Sequence, residues 1–338
     1  MTCLGSFASG LMLLIPLLAL SACAHQRAAP APEGSWSIVI HGGAGTLDRT
    51  APEAELDAYR ASLRAALQEG RDRLARGQSA LDVCEAVVRI LEDDPRFNAG
   101  RGAVFNERGG HELDASIMDG STLRCGAVAG VRTVKNPVSL ARLVMDRTRH
   151  VLLMGDGAEE FAGTVGVERV PNSYFDTEHR RRILEEVLRE RSRSDGGAAR
   201  PASAYGTVGC VVRDARGNLA AATSTGGMTA KKFGRVGDSP IIGAGNYADA
   251  FAAVSCTGTG EEFIRHGVAR SIAARMQFGG QSLEQAARAV VFRTLKKDDG
   301  GIIAVDRAGN MVALYNSEGM YRGMADSSGR FEVRIFEE

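Results

Sequence analysis

The chain has 338 residues, and 41 basic and 41 acidic side chains give it a formal net charge of zero. That balance leaves no electrostatic footprint for nucleic acid. The 41 glycines and few aromatics suit a sheet-containing enzyme with tight loops better than a coiled coil or a disordered chain.

Residues 1–22 read as a signal peptide. "FASGLMLLIPLLALSACAHQ" holds an apolar run too short to cross a membrane as a helix, followed by small residues. The tetrad Leu20-Ser21-Ala22-Cys23 resembles the bacterial lipoprotein signal, in which Cys23 would carry the lipid and become the mature N-terminus. An ordinary secretory signal is the alternative, giving a soluble periplasmic protein. Both imply export. On the lipoprotein reading the protein is lipid-anchored and faces the periplasm. Ala24 rather than Asp after Cys23 then points to the outer membrane if the host is Gram-negative.

Residues 23–35 read as a flexible Ala/Pro tether, and 36–338 as one domain. Cys84, Cys125, Cys210 and Cys256 lie in apolar contexts without paired spacing, and read as buried free thiols.

Along the domain, "SWSIVIHGGAG" predicts a strand, Ser37 to Ile40, ending in a tight glycine turn. Residues 53–76 have helical spacing, and "SALDVCEAVVRILEDD" predicts a second helix capped by Ser79. A loop, "PRFNAGRGAVFNERGG", leads into the strand of "HELDASIMDG". "CGAVAGVRTV" is another strand, and "NPVSLARLVMDRT" a helix entered through Pro137. "HVLLMGDGAEEFA" gives a short strand and a short helix. Residues 174–194 form a charged amphipathic helix that decays into a polar linker at about 190–205.

Beyond Thr207 come two strands joined at "DARGN", a long loop to Gly245 and a strand at Ala252–Cys256. Helices at about 260–277 and 282–294 precede strands around 301–306 and 310–316. No solenoid repeat is visible. Paired strands and paired helices predict an α+β layered fold.

The six histidines are dispersed and lack zinc-ligand spacing. Neither a P-loop nor a dinucleotide fingerprint occurs. "HGGAG" looks like the oxyanion loop of α/β-hydrolases, but no G-x-S-x-G elbow accompanies it. Its glycines, Gly42 and Gly43, instead allow close approach to a pocket at Thr207, with His41 filling structure.

What remains is threonine beside glycine, in "GTVG", "ATSTGGMT" and "SCTGTGEE". A threonine hydroxyl needs a neighbouring base to act as nucleophile. Its own α-amine, with a typical pKa of about 7.7–8.0, would serve if the preceding peptide bond were cut. Gly206–Thr207, between a linker and a buried strand, is such a bond. Thr207 as an ordinary strand opener is the alternative.

From Trp36 onward the segments "IVIHGGAG", "FNAGRGAVF", "HELDASIMDG", "GTVG", "TSTGGMTAKKFGRVGDSP" and "SCTGTGEEFIR" resemble the plant-type L-asparaginase / isoaspartyl aminopeptidase family of N-terminal nucleophile hydrolases. The resemblance implies a four-layer αββα sandwich. It also implies self-cleavage between Gly206 and Thr207, leaving an α chain that ends at 206 and a β chain, 207–338. Thr207 would then attack the side-chain amide of asparagine or the β-linked bond of isoaspartyl dipeptides. Thr225 would orient it, Thr257 and the Gly258 N–H would form the oxyanion hole, and Asn98 would order the nucleophile.

The resemblance also gives Arg235 to the substrate's α-carboxylate and Asp238 to its α-amine; mutual pairing of the two across a loop is the plain alternative. It implies a structural sodium ion on the backbone carbonyls of Leu91, Glu92, Asp94, Phe97, Ala99 and Arg101, no catalytic cofactor, and a homodimer of αβ units. Two rivals stand beside it: a glycosylasparaginase of the same superfamily, and a catalytically silent surface lipoprotein.

Overall fold

A computed structural model describes residues 1–2, 32–45, 49–193 and 206–336. Residues 3–22 of the signal peptide, Cys23, most of the tether and most of the linker lie outside the described residues. Among those described, helices pack on two sheets. The larger has the spatial order β12 (Phe331–Arg334), β11 (Gly319–Asp326), β1 (Ser37–Gly45), β5 (Val208–Arg213), β6 (Leu219–Thr225), β2 (Leu113–Asp119), β3 (Cys125–Val131) and β4 (Leu152–Met154). Its neighbours are antiparallel except β3 and β4. The smaller sheet runs β10 (Met311–Tyr315), β9 (Gly300–Asp306), β8 (Ala252–Gly258) and β7 (Asn246–Ala248), antiparallel throughout.

The period-2 alternation of the strands divides the core. Ile38 and Ile40 of β1, with Cys210 and Val212 of β5, face one way. They meet Leu63 and Leu67 of α1 (Glu53–Ala75), Val83 and Val87 of α2 (Ala80–Asp93) and Val138 of α3 (Pro137–Arg147). Val39 and Val211 face the other way and meet Ala253, Ile303 and Val305 of the smaller sheet. The far side of that sheet buries Val254 and Ile302 against Phe263, Ile272 and Leu283 of the C-terminal helices. Each fully buried large aliphatic side chain contributes about 1.5–3 kcal/mol, so these three apolar interfaces dominate the stabilisation.

Helix starts follow the sequence. The Ser79 hydroxyl accepts from the Asp82 N–H at 3.2 Å, capping α2. Pro137 opens α3 at its first turn.

Several boundaries differ from expectation. β1 does not end at Ile40 in a turn: it continues through the glycines to Gly45, with a bulge between His41 and Gly43, paired to β11. Tertiary pairing overrides the poor strand propensity of glycine there. β7, β11 and β12 lie outside the predicted strands, being short or glycine-bearing. The charged helix α5 is Glu178–Arg193, preceded by a 3-10 turn at Asn172–Phe175. α4 (Gly155–Val165) matches its expectation. The helix expected at 260–277 is two, α6 (Gly260–His266) and α7 (Val268–Gln277), broken at the left-handed Gly267. The next is α8 (Leu283–Ala289) continued by a π turn, Val290–Thr294. The four cysteines of the domain are free thiols; three are buried and Cys125 is half-buried.

Candidate active site

Thr207 and Thr225 meet because of a hairpin. Val208 pairs with Ser224 and Arg213 with Leu219, so one further step along the register sets Thr207 opposite Thr225. The Thr207 hydroxyl donates to Thr225 Oγ1 at 3.1 Å, and the Gly227 N–H donates to the same oxygen at 3.0 Å. Thr225 is buried, and its oxygen is thereby fixed as an acceptor that holds Thr207 Oγ1 in one orientation.

The bond before Thr207 is equally constrained. The Asn98 N–H donates to the Gly206 carbonyl at 2.9 Å. Asn98 is itself locked: its Oδ1 accepts from the Val104 N–H at 2.9 Å and its Nδ2 donates to the Gly227 carbonyl at 2.8 Å. Gly43, at φ +116°, lies so close that a Cβ there would sit 2.5 Å from Gly206 Cα. Of the two glycines expected to approach Thr207, Gly43 brings β1 against this bond, as a strand rather than as a turn, whereas Gly42 lies against the Phe97 ring, 2.3 Å from an added Cβ.

His41 is fully buried. Its Nδ1 lies 2.9 Å from the Thr207 carbonyl, which can only accept, so Nδ1 carries the proton. Nε2, 2.9 Å from Ser255 Oγ, is then the acceptor. Burial pushes the imidazole pKa down to about 3, so it stays neutral near pH 7. His41 holds the Thr207 carbonyl as a neutral imidazole.

The end of β1 also reaches β8. The Ala44 N–H donates to Thr257 Oγ1 at 3.2 Å, linking Gly206 through Gly43 and Ala44 to the buried Thr257. Gly258 follows at φ +150°, where a Cβ would lie 2.0 Å from the Asp299 carbonyl. Two residues on, Gly260 packs against the side chains of Arg235 and Asp238. The predicted oxyanion and substrate residues thus occupy one continuous stretch of structure beside the Thr207 strand.

Arg235 and Asp238 do not pair with each other. Arg235 Nε and Nη2 donate to Glu261 Oε1 and Oε2 at 2.9 and 2.8 Å, a two-bond fork. Hydrogen bonding to Arg235 holds the Glu261 carboxyl below its ordinary pKa. Asp238 is buried and its Oδ2 has no hydrogen-bond partner among the described residues. Burial, partly offset by Arg235, raises its pKa to about 7. Sequence reasoning missed Glu261; its signal was the acidic first turn of α6 in "GEE".

Among the described residues no three His, Cys, Asp or Glu side chains gather as a metal site. The turn at 91–102 offers backbone carbonyls instead. A Cβ on Gly100 would lie 2.3 Å from the Glu92 carbonyl oxygen, and one on Gly102 would lie 2.1 Å from that of Phe97. Only glycine leaves room for these two carbonyls. The Arg180 guanidinium, donating to the carbonyls of Gly102 at 2.9 Å and Arg96 at 3.2 Å, steadies the turn. Such hard oxygen donors fit a structural monovalent cation.

A protein-family profile described as Asparaginase matches residues 34–335. An isoaspartyl peptidase of Salmonella typhimurium is 51% identical over 311 residues, covering 89% of this chain and 98% of its own. A probable isoaspartyl peptidase/L-asparaginase 2 of Arabidopsis thaliana is 45% identical, covering 90% of this chain and 100% of its own. An isoaspartyl peptidase/L-asparaginase of Mus musculus is 43% identical, over 88% of this chain and 92% of its own.

Proposed function

We propose, from the premise that this chain belongs to the asparaginase family, that it is a self-cleaving threonine amidohydrolase acting on isoaspartyl dipeptides and L-asparagine. The observation that carries this reading is the Thr207 hydroxyl, held by Thr225, next to a Gly206 carbonyl that accepts from Asn98.

In maturation, Thr207 Oγ1 attacks the Gly206 carbonyl carbon and the C–N bond breaks. The hydroxyl proton ends on the departing nitrogen. Water then adds to the ester and the C–O bond breaks, giving a Gly206 carboxylate and a Thr207 with free amine and hydroxyl. In turnover, the α-amine accepts the Oγ1 proton as Oγ1 attacks the substrate's side-chain carbonyl. Ammonia or an amino acid leaves with that proton, and water releases aspartate. Thr257 and the Gly258 N–H serve as oxyanion donors, a contribution of about 3–4 kcal/mol per donor in comparable sites. Arg235 and Asp238 grip the α-carboxylate and α-amine.

The three apolar interfaces support a four-layer αββα arrangement of this single domain. A sodium ion on the carbonyls of Leu91, Glu92, Asp94, Phe97, Ala99 and Arg101 would brace the loop bearing Asn98 and take no part in the chemistry. We extend the proposal to a homodimer of αβ units and to export with a lipid on Cys23; the latter rests on the sequence of residues 1–23. Among the described residues no helix is long and apolar enough to cross a membrane.

The test is the intact mass of protein lacking residues 1–23 after a day at neutral pH, with Thr207→Ala alongside. Two fragments, one beginning at Thr207, with hydrolysis of β-aspartyl-leucine, are expected; the variant stays whole and inactive. A wild-type chain that stays whole and hydrolyses nothing overturns the reading.

A further inference from the structure

The two halves of the substrate clamp are unevenly filled. Arg235 already holds a carboxylate: Nε and Nη2 both donate to Glu261, and an incoming α-carboxylate finds a cation whose charge is largely neutralised. Asp238 is in the opposite condition. It is buried, and its Oδ2 has no donor among the described residues. A ligand group gains most where it satisfies a buried atom otherwise left unpaired, and least where it must share a partner already engaged.

The surrounding charge has the same sense. Asp238, Glu261 and Asp114 all act on Arg235, and Lys231 acts on Asp114. Among these five groups three carboxyls face two cations, and Asp238 Oδ2 is left without a donor.

We propose that recognition here is asymmetric: the ammonium on Asp238 carries most of the selectivity, Glu261 weakens the demand for the α-carboxylate, and the enzyme consequently hydrolyses β-alanyl peptides as a second substrate class. This rests on the amidohydrolase reading above. The chemistry is a matter of deletion. An isoaspartyl residue without its α-carboxylate is β-alanine, whose amine stands at the same distance from the scissile carbonyl. An isoaspartyl residue without its α-amine is a succinyl group. The reaction on β-alanyl-leucine is the same balanced acyl transfer, with leucine leaving, water entering and β-alanine released.

The experiment compares kcat/KM of the mature enzyme on β-aspartyl-leucine, β-alanyl-leucine and succinyl-leucine. Deleting the carboxylate is expected to cost about tenfold, since its partner is already paired. Deleting the amine, which leaves Asp238 buried and unpaired, is expected to cost about a thousandfold or more. Glu261→Gln removes the competing charge. It should widen the gap between β-aspartyl-leucine and β-alanyl-leucine by about fivefold or more, as Arg235 turns to the substrate.

A purely structural Glu261 would lower both substrates in proportion, which overturns its part in the proposal. If the variant does not fold, the three wild-type values decide alone. Succinyl-leucine cut as well as β-alanyl-leucine overturns the asymmetry while the parent reading stands. Failure to cut β-aspartyl-leucine overturns both.

Discussion

Around Thr207 the restraints are neutral and mostly borne by the backbone: two threonine hydroxyls, three amide N–H groups from Gly227, Asn98 and Ala44, a neutral imidazole, and Gly43 pressed against Gly206. Around Arg235 they are ionic: a forked guanidinium–carboxylate pair and a buried carboxyl, Asp238, whose Oδ2 has no hydrogen-bond partner among the described residues. The first region fixes where atoms are, and so is sensitive to volume. The second fixes which charges are welcome, and so is sensitive to the ligand. A bond that must be attacked from within the chain needs the first kind of construction, because the near-attack distance leaves no slack. The substrate clamp proposed at Arg235 and Asp238, which must release its product, needs the second.

The most severe way to break this contrast is a single methyl group. Gly43→Ala would place a Cβ 2.5 Å from Gly206 Cα at a backbone φ of +116°. The Gly206 carbonyl must shift, and self-cleavage should slow by about a hundredfold or more, since a 1 Å misplacement costs about that much. Gly109→Ala is the control: it also has positive φ, +77°, but nothing lies within 4 Å of the added methyl. Its cost should be about 1–2 kcal/mol of stability with normal processing. Intact-mass time courses of both read the difference. Equal processing rates would mean that crowding at Gly206 does not set the attack geometry.

Smaller in effect is Thr225→Val, nearly the same shape without the acceptor. Thr207 Oγ1 loses its orienting partner, and turnover of β-aspartyl-leucine should fall about a hundredfold. The Gly227 N–H is left without its 3.0 Å acceptor, lowering stability by about 1–3 kcal/mol. Because no charge is removed, the loss in turnover should be the same at low and high salt. A loss that salt reverses would place Thr225 on the ionic side of the comparison.

How much of this could be read in the chain depends on which physics carries it. Capped or amphipathic helices such as α2 and α3 announce themselves locally, through Ser79 and Pro137. The extension of β1 through glycine, and the strands β11 and β12, depend on partners distant in sequence and carry no local period. The Thr207–Thr225 contact was open to derivation. The two strands joined at "DARGN" fix a register that sets these residues opposite each other, whereas an orienting role for Thr225 enters only with the family resemblance. Glu261 went unread because acidic residues in a first helical turn are ordinary, and only the fold shows Arg235 reaching it.

One buried group ties the neutral region to solution pH, and its effect is the mildest. Glu92 is fully buried, with Oε1 accepting from Ser224 Oγ at 2.6 Å and from the Val138 N–H at 3.0 Å. Ser224 precedes Thr225, so this carboxyl sits directly behind the nucleophile's partner. Burial raises its pKa from 4.5 to about 8. Between those values the folded chain holds a proton that the unfolded chain has lost, so stability falls as pH rises through the window.

His41 acts in the other sense, its pKa lowered from 6.5 to about 3, and removes stability only as pH falls below 6.5. Asp238, raised from 3.8 to about 7, exerts its effect below pH 7. From pH 7 to 8.5 Glu92 is therefore the main contributor of the three. Glu92→Gln keeps an acceptor for both donors and abolishes the titration. In the uncut Thr207→Ala background, the parent should lose about 1–2 kcal/mol over that interval and the Gln variant almost none. At pH 5, where Glu92 is protonated in the fold, the variant should have no such advantage. Parallel losses from pH 7 to 8.5 would show that Glu92 is ionised in the fold, and that the site behind Thr225 is not a wholly neutral one.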